Sequence, residues 1–547
     1  MKSIFATTRI TLTATLFLTT IVITPWFSFD SINTPKTLVL AIGGSILCTQ
    51  LLMFKKDFFQ KEYQLVAIIM GAFFLWSVVA FLNSDMNPIE GIFGVDGRKT
   101  GVLTYFFFCV IFYIAYISSS IKQSKSLVTS LICSGILSII YAGLQIINLD
   151  PFNWNTQYRA IFGFFGNPNF LAAFIGMSAS AALVHILVGQ PSRIKQSSLV
   201  LYIILVLIVI YQSGSEQGFF VLITGFSITS YILIKYSLRF RKYHILYLIS
   251  LVIGFFIVLI DIFQKAPWKS FLFSDSIGER EEFWQSALKM TINNPVSGIG
   301  LDGFRDNYHR YRDLSAAVRD PGARVTSAHN VFLDISSGGG FPLLFLYLLI
   351  TFMVIKTFIK VISKPTKPDV YFISIASAWF GYLIQSFISI NHLGIAIWGW
   401  ALGGAILGYE IKSKTNFDIV KSKNIFAQNI SIVIGLIIGL TIATPELIKD
   451  AEFRSAMKSG NGDKIIALST EWPQSMDRIN LASGIFLENG FANQAVQIAN
   501  SGVKFNSENL LAWQILYSIP EIPAEQKAIA LSRIKELDPL NPQFKND

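Results

Sequence analysis

One polar stretch, roughly residues 264–328, interrupts an otherwise apolar chain and carries the residue types that could do chemistry. It opens into Gly278-Glu279-Arg280 and Trp284 and runs through Asn293-Asn294-Pro295-Val296-Ser297-Gly298-Ile299-Gly300. It closes on Ser327-Ala328-His329-Asn330, where apolar character returns. A histidine at the mouth of a membrane helix, with arginines upstream in a folded loop, could bind something anionic at the membrane surface and transfer it. Ser327 is a good N-cap, which predicts that His329 sits in the first helical turn. The positive end of the helix dipole disfavours imidazolium there, so a neutral imidazole could take a proton from an attacking hydroxyl. The plainer reading is an interfacial histidine that only caps or packs.

Three arginines could supply the anion site. Arg280 begins an amphipathic segment to Met290 that resembles an interfacial helix lying against the membrane through Phe283, Trp284 and Leu288. Arg98 lies in the tight turn Phe93-Gly94-Val95-Asp96-Gly97-Arg98-Lys99, and Arg159 just precedes Gly163-Phe164-Phe165-Gly166-Asn167-Pro168-Asn169. A guanidinium fork donates two hydrogen bonds at once and suits a diphosphate. The alternative for each is an interfacial cation meeting lipid headgroups. Asn167 followed by Pro168 predicts a helix start, with Asn169 either facing the site or merely helical. The glycines of 293–300 read as turn-forming. Phe304, Tyr308, Tyr311 and Arg312 form either a wall for sugar rings or the loop's own core. The loop holds nine basic and eight acidic residues, so it is no polycation trap. No HExxH, DxD, CxxC, P-loop or nucleophile elbow is present, so no metal, nucleotide or other cofactor is indicated.

The elements that must position these residues are membrane helices. The chain has 547 residues, 52% apolar and 14% charged, outside soluble usage. Thirteen apolar runs approach the ~20 residues that cross a bilayer, at about 9–28, 36–54, 63–82, 100–118, 126–147, 169–189, 197–213, 217–236, 243–263, 331–356, 370–390, 392–410 and 427–445. They are continuous rather than alternating, which predicts an all-α polytopic protein and argues against a barrel. Every second loop is basic, from Lys55, Lys56 and Lys61 to Lys412, Lys414, Lys421 and Lys423. The positive-inside rule then predicts a cytoplasmic N-terminus, with the 264–328 loop and everything after 445 outside. The formal charge of +10 belongs to these anchors and marks no nucleic-acid surface. Cys48, Cys109 and Cys133 all fall in spans and form no disulfide or metal pattern.

Four regions follow: helices one to nine over 1–263, the loop 264–328, helices ten to thirteen over 329–445, and a tail 446–547 of different texture. In the tail, residues 494–509 and 527–541 look alike at an offset of about 32 to 33. Leu537-Asp538-Pro539-Leu540-Asn541-Pro542 resembles the end of a tetratricopeptide helical repeat, a scaffold that presents a binding surface. The other reading is a small helical domain of no special kind.

These residues, in this order, resemble the O-antigen ligase/polymerase superfamily of bacterial surface polysaccharide enzymes. The resemblance covers roughly 60–410. It rests on Arg280-x-x-x-Trp284, on Asn294-Pro295-x-x-Gly298-x-Gly300-x-x-x-Phe304, on His329-Asn330-x-x-Leu333 followed by Gly338-Gly339-Gly340, and on the segment 163–169. It implies a metal-independent, inverting glycosyltransferase in the bacterial plasma membrane, taking a glycan from an undecaprenyl-diphosphate carrier to an acceptor hydroxyl. Carried onto this chain, His329 is the general base and Arg280 a catalytic cation. Arg159, Arg98, Asn169, Asn330 and Trp284 are substrate-binding. The implied partners are the carrier-linked donor, a glycolipid, protein or glycan acceptor, membrane lipids, and a protein docked on the tail. The chain departs from the pattern at Ser215-Glu216-Gln217-Gly218, where relatives commonly show Ser-Arg. Glu216 removes one cation and could complement the N-terminus of the eighth span.

A transporter for lipid-linked sugars is the alternative from another class. It predicts ionisable residues lining the spans and duplicated halves. The spans hold few such residues, with Asp261 and His185 near ends, and no duplication is visible. A structural membrane scaffold is a third reading, resting on the tail.

Overall fold

Each of the thirteen apolar runs becomes a helix in the computed structural model, which describes residues 4–154, 161–262, 276–410 and 425–544. They are Ile4–Ile21, Asn33–Met53, Gln64–Leu82, Val102–Ile117, Ile121–Ile146, Pro168–Leu187, Arg193–Ser213, Glu216–Tyr236, His244–Ile262, Val331–Ile362, Val370–Ser386, Leu393–Leu407 and Ile425–Ser459. No strand occurs among the described residues. Among the described residues, eight helices are long and apolar enough to cross a membrane, which makes this a multi-pass membrane protein.

Three further apolar helices, Val102–Ile117, Val370–Ser386 and Leu393–Leu407, are shorter than a full span. They are also among the most buried. Phe108, Phe112, Ile373, Trp398 and Leu402 are sealed from the exterior. They form the centre of the bundle with Pro168–Leu187, whose inner face is lined by Ala and Gly and lets neighbours approach closely. Helices such as Arg193–Ser213 and His244–Ile262 lie at the periphery and expose Ile204, Ile208, Ile249 and Ile253. Asn167 caps the Pro168 helix by accepting from Asn169 N at 2.8 Å, as its sequence predicts.

The last membrane helix does not stop at the expected boundary near 445. It runs on through Pro445 to Ser459 and carries the chain directly into the tail. After the short helix Gly462–Thr470 the tail continues with two helix pairs, Met476–Glu488 with Ala492–Phe505 and Leu510–Ser518 with Ala524–Leu537. Corresponding helices begin 34 and 32 residues apart. This region has its own core, built on Phe453, Met476, Ile479, Ile498 and Ile534.

Candidate active site

The two glycine-rich stretches of the loop motif meet backbone to backbone. The helix that follows His329, Val331–Ile362, is broken at Gly340, whose φ of 69° and ψ of −174° no helix tolerates. Breaking a helix frees backbone groups that must be satisfied elsewhere. Ile299 N donates to Ser337 O at 2.8 Å, Phe341 N to Pro295 O at 2.8 Å, and Trp76 Nε1 to Gly339 O at 3.0 Å. A Cβ at Gly298 would lie 2.5 Å from Gly338 C, and one at Gly340 would lie 2.3 Å from Val296 O. These two glycines therefore permit contact as well as turning, which spacing along one strand of sequence did not reveal. Pro342 is tolerated because the helix restarts at Phe341.

His329 sits just ahead of this half-helix, and its conformation corrects the expected cap. Asn330 is the N-cap: its Oδ1 accepts from Phe332 N at 3.0 Å and Leu333 N at 3.1 Å. Ser327 Oγ instead accepts from His329 N at 3.2 Å. His329 is thus outside the first turn, with a left-handed φ of 51°. That conformation costs roughly 1–2 kcal/mol for a residue with a Cβ. The strain is held because Ala328 N donates to Asp334 Oδ1 at 2.8 Å on one side and Asn330 is fixed in its cap on the other. The imidazole pKa is lowered from 6.5 to about 3, chiefly by burial and then by the charges of Arg280 and Arg98. The neutral form expected from the helix dipole therefore arises from desolvation and like charge.

Arg280 and Trp284 project from the helix Ser276–Asn293, which packs against the His329 helix. Its inner face contributes Phe283, Trp284, Ala287 and Met290 to a small core with Phe304, Tyr308, Val325 and Ala328. Leu288 and Ile292 face outward. The Phe283 ring lies 5.8 Å from the imidazole of His329. Phe304 and Tyr308 are therefore the loop's own core rather than a sugar wall; both are buried.

Arg98 is near His329 but is not available as a diphosphate ligand, which corrects that expectation. Its guanidinium is buried between Asp302 at 3.2 Å and Asp334 at 3.4 Å, and it donates to Thr326 O at 3.2 Å. Two carboxylates neutralise it, and its hydrogen bonds fix residues 326–328 just before the histidine. It is a positioning residue. Asn330 is likewise occupied: besides its cap, its Nδ2 donates to Phe387 O at 3.0 Å. Asn169 accepts from Ser215 Oγ at 2.7 Å, which joins the Pro168 helix to the hairpin that carries Glu216. Glu216 occupies the first turn of its helix, where it complements the dipole. Arg159 and the basic residues of 411–424 lie outside the described residues.

Several residues that matter here gave no sign of their partners in the sequence. Arg305 pairs with Glu90 at 2.8 Å and Asp306 at 2.9 Å, and both carboxylates accept from the tail's Asn506. Asp306 also accepts from Asn509. Arg312 and Asp538, both fully buried, pair at 2.7 Å. The tail is thereby locked onto the loop that ends in His329.

Residues 171–348, about a third of the chain, match the family described as O-Antigen ligase. That segment begins in the Pro168 helix and ends beyond the Gly340 break, so it includes Arg280, Trp284 and His329. A search of curated proteins finds none that matches the chain. With its helical membrane bundle, its loop helix and its broken helix behind a strained histidine, this chain carries a segment that matches the O-antigen ligase family, which supports the O-antigen ligase/polymerase superfamily.

Proposed function

We propose that this protein is a ligase-type glycosyltransferase of the bacterial plasma membrane. It moves a glycan from an undecaprenyl-diphosphate carrier to an acceptor hydroxyl at the outer membrane face. The observation that carries the reading is the neutral, strained His329 beside Arg280 at the mouth of a broken helix, inside the matched domain. The imidazole takes the acceptor's proton while its oxygen attacks the anomeric carbon from the face opposite the leaving group. The carbon–oxygen bond to the carrier breaks, and the diphosphate leaves with the electron pair, so configuration inverts. Arg280, with Arg159 upstream, binds the diphosphate; one well-placed donor of this kind is worth about 3 kcal/mol to the transition state. Trp284 and Asn169 flank the substrates, and the loop and tail face outward. The donor is already activated, so the step itself consumes no nucleotide.

The direct test is a glycan blot of cells lacking the protein, complemented with wild type or His329→Ala and split into carrier-lipid, glycolipid and protein fractions. Wild type should move glycan out of the carrier fraction, and the fraction that gains it names the acceptor. Carrier-linked glycan handled identically in both strains would overturn the reading. Glycan trapped on the cytoplasmic side only in the null strain would indicate a transporter.

The imidazole pKa also predicts an unusual pH profile. The kcat/KM curve reports the free enzyme, so it should be flat from about pH 5 to 8, with no acid limb near 6.5. A bound diphosphate brings negative charge and stabilises imidazolium, so the acid limb of kcat should lie at higher pH than that of kcat/KM. Folding stability should move the same way. Unfolded His329 binds a proton below about 6.5 and folded His329 only below about 3, so this residue makes stability rise with pH between those values. A limb in kcat/KM at 6.5 that disappears in His329→Ala would contradict the assignment.

A further inference from the structure

Where the tail meets the loop, two carboxylates share one cation. Glu90 belongs to the short helix Pro88–Phe93, between two membrane helices, and Asp306 to the loop helix Phe304–Tyr311. Both pair with the guanidinium of Arg305, at 2.8 and 2.9 Å. The tail closes the group from the other side. Asn506 Nδ2 donates to Glu90 at 2.7 Å and to Asp306 at 2.8 Å, and Asn509 Nδ2 donates to Asp306 at 3.0 Å. Because one amide nitrogen serves both, the two carboxylates lie within two hydrogen-bond lengths of each other. All three charged side chains are largely buried, and Glu90 is only 4% exposed.

Two buried carboxylates on one guanidinium leave a net negative charge when both are ionised, and such a pair favours keeping one of them protonated. The surrounding elements do not cancel the excess. The turn at 94–100 brings Asp96, whose partner Lys99 at 2.7 Å is itself shared with Glu446 at 3.6 Å. The tail brings Asp477, and also Glu508, which Arg310 meets at 3.0 Å. His309, on the Asp306 helix, is lowered to about 4 by burial and the Arg312 charge, so it is neutral above that pH. Burial pushes the Glu90 carboxyl up to about 7; Arg305 opposes this, and the charges of Asp306 and Asp96 add to it. Asp306, despite its burial, is held below the usual range by Arg305 and the tail amides. Asp477 is pushed up to about 6, by burial first and then by Asp96. A cavity of about 610 Å³ lies between loop and tail, with Arg305, Asp306, Asp477, Asn509 and Arg324 in its wall. It is large and polar enough to hold water that can deliver a proton.

We propose that the tail docks on the loop with uptake of a proton at the Glu90–Asp306 pair, so that the pH around the tail sets how often it lifts away. Lifting the tail returns Glu90 to water and to the ordinary carboxylate range. Between that range and about pH 7 the docked form holds a proton that the undocked form has lost. Docking is therefore strongest below the window, weakens as pH rises through it, and is weakest above it. Asp477 acts in the same direction, whereas His329 contributes the opposite sign, so the effect is read against variants of the pair itself. The Arg312–Asp538 and Arg310–Glu508 pairs hold the tail across this range. Undocking thus remains the minor state, and the flat kcat/KM profile expected above is kept.

Hydrogen exchange of the backbone amides of tail residues 506–516, in the full-length protein in lipid nanodiscs, reads this opening. Expressed as protection factors, the values are already corrected for the pH dependence of intrinsic exchange. Wild-type protection should fall about 10–100-fold between pH 5 and pH 8. Glu90→Gln and Asp306→Asn each leave one carboxylate on the guanidinium. Each should therefore keep at pH 8 most of the protection that wild type shows at pH 5, with only the smaller share of Asp477 still titrating. Equal protection at pH 5 and pH 8 in wild type would overturn the proposal, as would the full wild-type slope in both variants. Protection lost at pH 5 in both variants would also overturn it, because the two charges themselves would then hold the contact. Should one variant pack poorly, the other decides. None of these outcomes uses glycan transfer, so they stand apart from the fate of the transferase reading.

Discussion

Replacing His329 with glycine should lower transfer by about 10²–10⁴-fold, the range that a positioned general base contributes. The protein should nonetheless remain folded in the membrane. Glycine removes roughly 1–2 kcal/mol of left-handed strain, and its greater freedom in the unfolded chain returns about 0.5–1 kcal/mol of that. The fold should therefore end near wild-type stability or slightly above it. His329→Asn keeps a residue that tolerates left-handed φ and lacks a base, so it should be as inactive as glycine. Together these variants separate chemistry from scaffolding. If His329 only shaped the turn before the helix, glycine and asparagine would retain transfer while alanine lost it. The measurement is initial transfer rate from carrier-linked glycan in proteoliposomes, normalised to folded protein. Retained transfer in the glycine variant would remove His329 from the reaction.

Removing either member of the Arg312–Asp538 pair should cost about 3–5 kcal/mol, because each leaves an uncompensated buried charge. Both side chains are sealed from solvent, and Arg312 also donates to Asp320 O at 3.0 Å and Pro321 O at 3.2 Å. Asn541 Nδ2 donates to Asp538 from the other side at 2.8 Å. The pair thus ties the last tail helix to the segment running into residues 323–328. Arg312→Ala should lower the thermal unfolding midpoint of the purified protein, speed proteolysis of the tail, and reduce transfer because the His329 turn loses its support. The double substitution Arg312→Met with Asp538→Leu should recover most of the stability, since a packed apolar pair replaces two desolvated charges. A double variant as unstable as the single ones would show that the hydrogen bonds to Asp320, Pro321 and Asn541 carry the contact instead.

These two sites differ in how visible they were beforehand. His329 stood out because a lone polar run in an apolar chain ended on it. Arg312 did not, since its partner lies 226 residues away. The separation is general here. Arg305 finds Glu90, Arg98 finds Asp302, and Asn506 bridges to Asp306, each across a long stretch of chain. An arginine in a sequence looks the same whether a diphosphate or a carboxylate will meet it. Burial between two aspartates turned Arg98 from an expected ligand into a positioning residue.

Local chemistry, by contrast, was legible. Thirteen apolar runs became thirteen helices because a backbone in lipid has to satisfy its own hydrogen bonds, whatever surrounds it. Asn167 and Pro168 started a helix for an equally local reason. The cap before the His329 helix was a local feature too, yet serine and asparagine are both good caps three residues apart. Asp334 reaching back to Ala328 N and Arg98 holding Thr326 O accompany the choice of Asn330 over Ser327. The contact between Gly298 and Gly338 and the loop–tail cavity arose in the same way, from surfaces that meet only after the chain has folded. The sequence by itself determined which segments enter the membrane and which polar residues lie beside them, because those depend on solvation of short stretches. Tertiary structure decided which charges are already neutralised and which histidine conformation is held, because those depend on partners that distant parts of the chain supply.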